Sequence, residues 1–286
     1  MKTFSAVPDM RSEVRTQKAR GKTVGLVPTM GYLHEGHLSL IRGSIRQMDY
    51  TVASVFVNPA QFAPNEDLQQ YPRDMKRDSD LLEKEGVNSL FAPGDDQMYP
   101  QGFGTYVEVV DMQHKLCGRS RPAHFRGVCT VVLKLFNIIE PDAAFFGQKD
   151  AQQAIIIRKM VRDLNLDVKI EVMPIVRDEQ GLALSSRNAY LSPELKKQAL
   201  SLSASLKEAQ NMIESGERTA EKIIRRMKKI IGSEPSARID YVEVVDTDNL
   251  GPLKKIDDQA LIAVAVFFEK VRLIDNFMFE SKEKKQ

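Results

Sequence analysis

Two of the chain's four histidines, His34 and His37, stand three apart in "VPTMGYLHEGHLSLIR", separated by Glu35 and Gly36. The stretch passes from an apolar run through a Pro-Thr-Met-Gly turn into a helical pattern that begins near His37. Both imidazoles therefore belong to a helix amino terminus at the carboxyl end of a strand, where unsatisfied N–H groups and the helix dipole favour an anion. Imidazole N–H groups at this spacing can reach neighbouring oxygens of one phosphate chain. Gly36 removes a side chain, so a flat base or sugar can approach the backbone. The plainer alternative has His34 capping the turn and His37 on a solvated helix face. A zinc site needs at least a third ligand, and Glu35 points elsewhere.

Four further stretches carry residues with chemistry. In "GLALSSRN" the hydroxyls of Ser185 and Ser186 and the planar donor fork of Arg187 match phosphate oxygens. In "FFGQKDAQQ" an apolar strand ends in Gly147, and Lys149 and Asp150 follow at its tip. Lys149 can neutralise a phosphate or a developing anion, and Asp150 can hold a ribose or a magnesium-bound water. Gln152 and Gln153 open the next helix. In "VFVNPAQF" the neutral amides Asn58 and Gln61 suit a hydroxylated carboxylate substrate better than a metal. In "HKLCGRSRPAHFRGVC" the ligand types His114, Cys117, His124 and Cys129 read only weakly as zinc spacing. Cys129 falls inside an apolar helix, where a cysteine behaves as a small hydrophobe, and Arg119, Arg121 and Arg126 point instead to an anion.

The elements that must position these residues alternate short apolar runs with amphipathic ones, the pattern of β-α-β units and a parallel sheet. Strands are predicted at Thr23 to Val27, Tyr50 to Val57, Ser89 to Pro93, Thr105 to Val110, Asp142 to Phe146 and Asp167 to Ile175. Helices are predicted at Leu38 to Met48, Pro72 to Glu85, Phe125 to Ile139 and Ala151 to Leu164. After Arg187 the texture changes to a long helix that starts at Ser-Pro-Glu and ends near Glu214. A second helix, Thr219 to Ile231, and three strand-like runs follow. The expected architecture is an α/β, Rossmann-like doubly wound parallel sheet over residues 1–186, carrying the site, with a smaller α+β domain over residues 187–286 closing over it. In such sheets ligands sit at the carboxyl ends of the strands, where the strand order switches. The last "KEKKQ" reads as a frayed tail.

Composition sets the class. The chain has 286 residues, is 42% hydrophobic, and carries 41 basic against 39 acidic residues, a net charge of +2. The basic residues are interspersed rather than gathered, so nucleic acid is not a favoured partner. The two cysteines form no disulfide framework, the amino-terminal residues lack a signal-peptide core, and no run reaches the length of a membrane span. The expectation is a cytoplasmic enzyme without a membrane partner.

His-x-Gly-His after a strand and turn resembles the phosphate motif of the nucleotidyltransferase superfamily. In order, "PTMGYLHEGH", "VFVNPAQF", "RPAHFRGV", "PDAAFFGQKDAQQ" and "GLALSSRNAYLS" resemble the pantothenate synthetase (pantoate–β-alanine ligase) family. That resemblance implies an ATP-dependent ligase in pantothenate and coenzyme A biosynthesis. It would activate pantoate as a pantoyl adenylate and pass it to β-alanine, with release of pyrophosphate and then AMP. The family's site, carried over by motif, places ATP on Met30, Gly31, Tyr32, Leu33, His34, Glu35, Gly36 and His37. It continues on Gly147, Gln148, Lys149, Asp150, Val176, Leu184, Ser185, Ser186 and Arg187. His34, His37 and Lys149 would be catalytic, and Gln61, Gln153 and Asn58 would hold pantoate and β-alanine. ATP is a substrate, Mg2+ its implied companion with no carboxylate assigned as its ligand, and the assembly a homodimer. Tyr32 and Ala151 depart from the family pattern and bear on pocket shape. Two other readings remain at this stage: an adenylyltransferase that leaves a stable adenylylated product, and a non-enzymatic RNA-holding module, which the near-zero charge and absence of tryptophan disfavour.

Overall fold

The computed structural model describes residues 1–63, 66 and 68–281; the expected frayed tail, 282–286, lies outside them. Two compact units form. Met1–His114, Gly118–Gln148 and Gln153–Pro174 make the first, and Lys115–Cys117, Lys149–Gln152 and the chain from Ile175 make the second.

In the first unit the chain runs Lys2–Phe4 (β1), Val7–Ala19 (α1), Val24–Thr29 (β2), Glu35–Gln47 (α2), Tyr50–Val55 (β3), Met75–Glu85 (α3), Ser89–Phe91 (β4) and Asp95–Met98 (α4). Cys117–Ser120 (α5), His124–Ile139 (α6), Ala143–Gly147 (β5), Ala151–Asp163 (α7) and Lys169–Met173 (β6) follow. The strands form one parallel sheet in the order β1-β4-β3-β2-β5-β6, the doubly wound α/β arrangement expected. Strand order reverses between β2 and β5, which pair directly at Gly25↔Ala143 and Leu26↔Ala144. The switch point is therefore where the Met30–His37 turn and the Gly147 tip leave the sheet.

Alternation along β2 explains the layers. A Cβ on Gly25 would meet the Ser44 hydroxyl of α2 at 2.2 Å, so α2 lies directly on that face. Val27, on the same face, joins Leu40, Ile41, Ala53, Leu82 and Phe145 in one core. Val24 and Leu26 point the other way and are fully buried as well. That second apolar face belongs with α1 and α6, which pack on β2 and on each other.

One predicted strand does not form. Thr105–Val110 alternates like a strand, yet Val107 N donates to Thr130 Oγ1 at 3.0 Å rather than to a sheet partner. The remaining strand position goes to Lys2–Phe4, registered on Ser89–Phe91, a run too short for periodicity to mark.

In the second unit Pro193–Glu214 (α8) and Ala220–Ile231 (α9) accompany Ala237–Val245 (β7), Gln259–Phe268 (β8) and Val271–Glu280 (β9), an antiparallel sheet in the order β7-β8-β9. Helical spacing on α8 (Leu195, Ala199, Leu202, Leu206, Ala209, Ile213) meets strand spacing on β8 (Ala260, Ile262, Val264, Val266, Phe268) in one core. Ser192 accepts from Leu195 N at 3.2 Å and caps α8 ahead of its first-turn proline.

Candidate active site

The helix begins at Glu35 rather than near His37, because His34 is its N-cap. His34 Nδ1 accepts from Gly36 N at 3.1 Å, and His37 Nδ1 accepts from His34 N at 3.3 Å. This reciprocal cap has the form of a capping box, with imidazoles in place of a hydroxyl and a carboxylate. A nitrogen that accepts from a backbone amide carries no proton, so the neutral rings hold theirs on Nε2. The two rings lie 4.1 Å apart between centroids.

Gly31 and Tyr32 take left-handed backbone, with φ of 81° and 50°. Asp78 of α3, 1% exposed, holds this turn, its two oxygens accepting from Tyr32 N at 2.6 Å and Leu33 N at 2.8 Å. A Cβ on Gly31 would stand 2.9 Å from Asp78 Oδ2, so glycine is what permits the approach. Asp78 was missed by the sequence reading. Its signal was a carboxylate four residues before Leu82, on the buried stripe of α3. A cavity of about 370 Å³ adjoins the turn, lined by Met30, Gly31, Phe56, Pro59, Arg73 and Asp78 among others.

The structure brings Met30, Asn58 and Gln61 together. Gln61 Nε2 donates to the Met30 thioether at 2.9 Å, and Asn58 Nδ2 donates to Gln61 Oε1 at 3.0 Å. The rest of the Asn58 carboxamide acts inside the protein: Nδ2 also reaches Gly127 O at 3.1 Å, and Oδ1 accepts from Tyr99 Oη at 2.6 Å and Ala60 N at 3.3 Å. A Cβ on Gly127 would meet Ala60 O at 2.2 Å, so α6 packs backbone to backbone on this turn. His124 Nδ1 lies 3.0 Å from Gln61 O. Arg121 pairs with Glu66 at 2.6 Å, so the anion beside this arginine is a carboxylate of the protein itself. Cys129 is fully buried in α6, and burial pushes its thiol up to about 12, away from the thiolate a metal ligand needs. Gly147 ends β5, Gln148 follows it, and Gln153 lies in the first turn of α7.

In the second unit Lys149 and Asp150 form a turn with Nζ 3.7 Å from Oδ2. Val176 and Leu184, eight apart in sequence, are joined by Leu184 N donating to Val176 O at 3.0 Å. Ser185 caps the turn Ser186–Tyr190, its hydroxyl accepting from Arg187 N at 3.3 Å, while Asn188 Nδ2 donates to Ala183 O at 3.0 Å. Ser185 thus caps the segment that presents Arg187.

With this geometry in hand, comparison with known proteins decides the family. The profile of pantoate-beta-alanine ligase matches residues 2–278. The chain belongs to that family. Pantothenate synthetase of Acetivibrio thermocellus is 55% identical over 280 residues, covering 98% of this chain and 100% of the relative. That of Thermotoga petrophila is 55% identical over 96% of this chain and 99% of its own. Among solved structures, a pantothenate synthetase from Thermus thermophilus superposes with a TM-score of 0.92 at 44% identity, covering 97% of this chain and 99% of its own. The pantoate-beta-alanine ligase from Francisella tularensis, complexed with beta-gamma ATP and beta-alanine, gives 0.76 at 32% identity, with 97% of each chain covered. The resemblance read from five motifs therefore extends across the chain. The ligase is an enzyme of a family whose reaction is the ATP-dependent condensation of pantoate with β-alanine. Neither the stable-adenylate reading nor the RNA-holding reading is needed.

Proposed function

We propose that this chain performs its family's reaction with His34 and His37 as the phosphate clamp. The observation that carries the assignment is the reciprocal cap, which commits both Nδ1 atoms to the backbone and leaves the ring proton on Nε2. Two oriented N–H donors at a helix amino terminus, at the switch point of a parallel sheet, suit the α- and β-phosphates of ATP. Leu184–Arg187 supplies the remaining donors for the polyphosphate. Lys149 meets charge on the reacting phosphate, Asp150 and Gly147 meet the ribose, and the Val176 backbone meets adenine.

The pantoate carboxylate attacks the α-phosphorus, an O–P bond forms, and the bond to the β-phosphate breaks with pyrophosphate leaving. The unprotonated amine of β-alanine then attacks the carbonyl of the mixed anhydride. An amide forms with loss of one proton, and AMP departs. Gln61 and Gln153 hold pantoate, and Asn58 acts through Gln61, since its own carboxamide is spent on the turn around it. Neutral amides bind a carboxylate and hydroxyls without adding a competing charge.

Magnesium enters as part of the ATP substrate. Among the described residues no three His, Cys, Asp or Glu gather as a metal cluster. The ion would mask phosphate charge as the anionic nucleophile approaches.

The active assembly is a homodimer in this reading, supported by Tyr106 and Val110, 46% and 73% exposed and four residues apart on a stretch outside the described sheets. Light scattering of the purified chain tests it. A cytoplasmic location fits Cys117 and Cys129, which are both buried and not joined in a disulfide. The reaction is tested with labelled pyrophosphate. Exchange into ATP should need pantoate but no β-alanine, and adding β-alanine should release AMP in step with pantothenate. Exchange that required β-alanine would rule out the adenylate route.

A further inference from the structure

Within the second unit, two neighbouring side chains of β9 each hold a loop that carries ATP-binding candidates. Asn276, 4% exposed, donates from Nδ2 to the Lys149 carbonyl at 2.9 Å. Asp275, 2% exposed, takes Arg177 in a two-point ion pair at 2.6 and 2.9 Å. Arg177 Nη1 also donates to Gly181 O at 3.1 Å, at the tip of the Val176–Leu184 turn that leads into Ser185–Arg187. Adjacent strand residues project to opposite faces, so one strand reaches two loops in two directions.

The far end of the Lys149 turn is fixed as well. The Gln152 carboxamide accepts from Cys117 N at 3.0 Å and donates to Lys115 O at 2.7 Å. Burying a carboxylate and an amide side by side, between Ile274 and Phe277, costs folding free energy unless their contacts are made. Here Asn276 and Asp275 each hold a segment that lies outside β7, β8 and β9.

We propose that Asn276 and Asp275 are positioning residues for catalysis, setting the Lys149–Asp150 turn and the Leu184–Arg187 loop at a fixed spacing on one strand. The inference rests on reading those two segments as the holders of the ATP phosphates. Misplacing such a group by about 1 Å costs roughly 10²-fold in rate.

The test uses Asn276→Leu and Asn276→Asp in the full chain. Leucine removes the donor, and aspartate keeps the shape while turning an oxygen on the carbonyl. Pantoate-dependent pyrophosphate exchange should fall roughly 10–10²-fold in both, mainly in kcat, with the β-alanine KM within about twofold of the parent. A general loss of folded protein would instead lower exchange by the same factor in the Lys149→Ala background as in the parent. If Asn276→Leu does not fold, Asn276→Asp decides alone. Lys149→Ala should abolish most exchange, and adding either Asn276 change to it should cost little more, because the two act through one group. Full exchange in the Asn276 variants with Lys149→Ala impaired would overturn the positioning role. Full exchange in Lys149→Ala would remove the role of Lys149 itself, and the proposal with it.

Discussion

His34 and His37 cap the same helix end for each other: the ring of one takes Gly36 N at 3.1 Å, and the ring of the other takes His34 N at 3.3 Å. The cap and the proposed phosphate clamp are therefore one device. Backbone hydrogen bonds choose the tautomer, and the tautomer decides which nitrogen can donate to a ligand.

His37→Ala removes both functions. Adenylate formation should slow by roughly 10²–10³, the size of a lost oxyanion donor, with little change in ATP affinity. Loss of the cap should also lower stability by about 1 kcal/mol. Gln153→Ala should instead raise the pantoate KM much more than it lowers the single-turnover rate, because it grips a part of pantoate that does not change. Rapid-quench measurements across both substrate concentrations separate the two. Intact saturated turnover in His37→Ala would reduce the histidines to a binding clip.

Gly127→Ala places a methyl 2.2 Å from Ala60 O. The turn carrying Gln61 must move off α6, so stability should fall by about 1–3 kcal/mol and the pantoate KM should rise. Thermal unfolding and initial rates check both. A variant with parental KM would uncouple this packing from substrate binding.

Cys117→Ala with Cys129→Ala should leave turnover near normal while lowering stability by about 1–2 kcal/mol, from the small void at Cys129 and the lost contact between Cys117 Sγ and Tyr241 Oη at 3.2 Å. Stoichiometric zinc in the parent, lost together with activity in the double variant, would reverse the packing assignment.

Glu217 accepts from Thr219 N at 2.9 Å and from Arg218 N at 3.1 Å, and pairs with Lys222 at 3.0 Å, at the start of α9. The bonds from Thr219, then Lys222, lower its carboxyl from 4.5 to about 2. A lowered folded-state value means the native state favours the ionised form. That stabilisation is complete above about 4.5 and disappears as pH falls toward about 2. Glu217→Gln should flatten the acid side of the melting-temperature profile in that window, and an unchanged slope would show that the cap contributes nothing there.

Much of this molecule can be read along the chain, because helix and strand periodicity, N-caps and turn residues are local properties of neighbouring side chains. The apolar runs of β2, β3 and β5, the helices α6 to α9, and the five motif blocks are of that kind. So was the histidine pair, whose three-residue spacing is also that of a capping box. The tertiary structure decided what depends on residues far apart in sequence. Three-residue β1 exists only because Ser89–Phe91 receives it, whereas Thr105–Val110 has the pattern of a strand and found no place in the sheet. Asp78 reaches Leu33 across 45 residues and Asn276 reaches Lys149 across 127. A buried carboxylate or amide looks the same in a sequence whether it faces water or a backbone donor, and only the folded chain supplies the partner that makes its burial favourable.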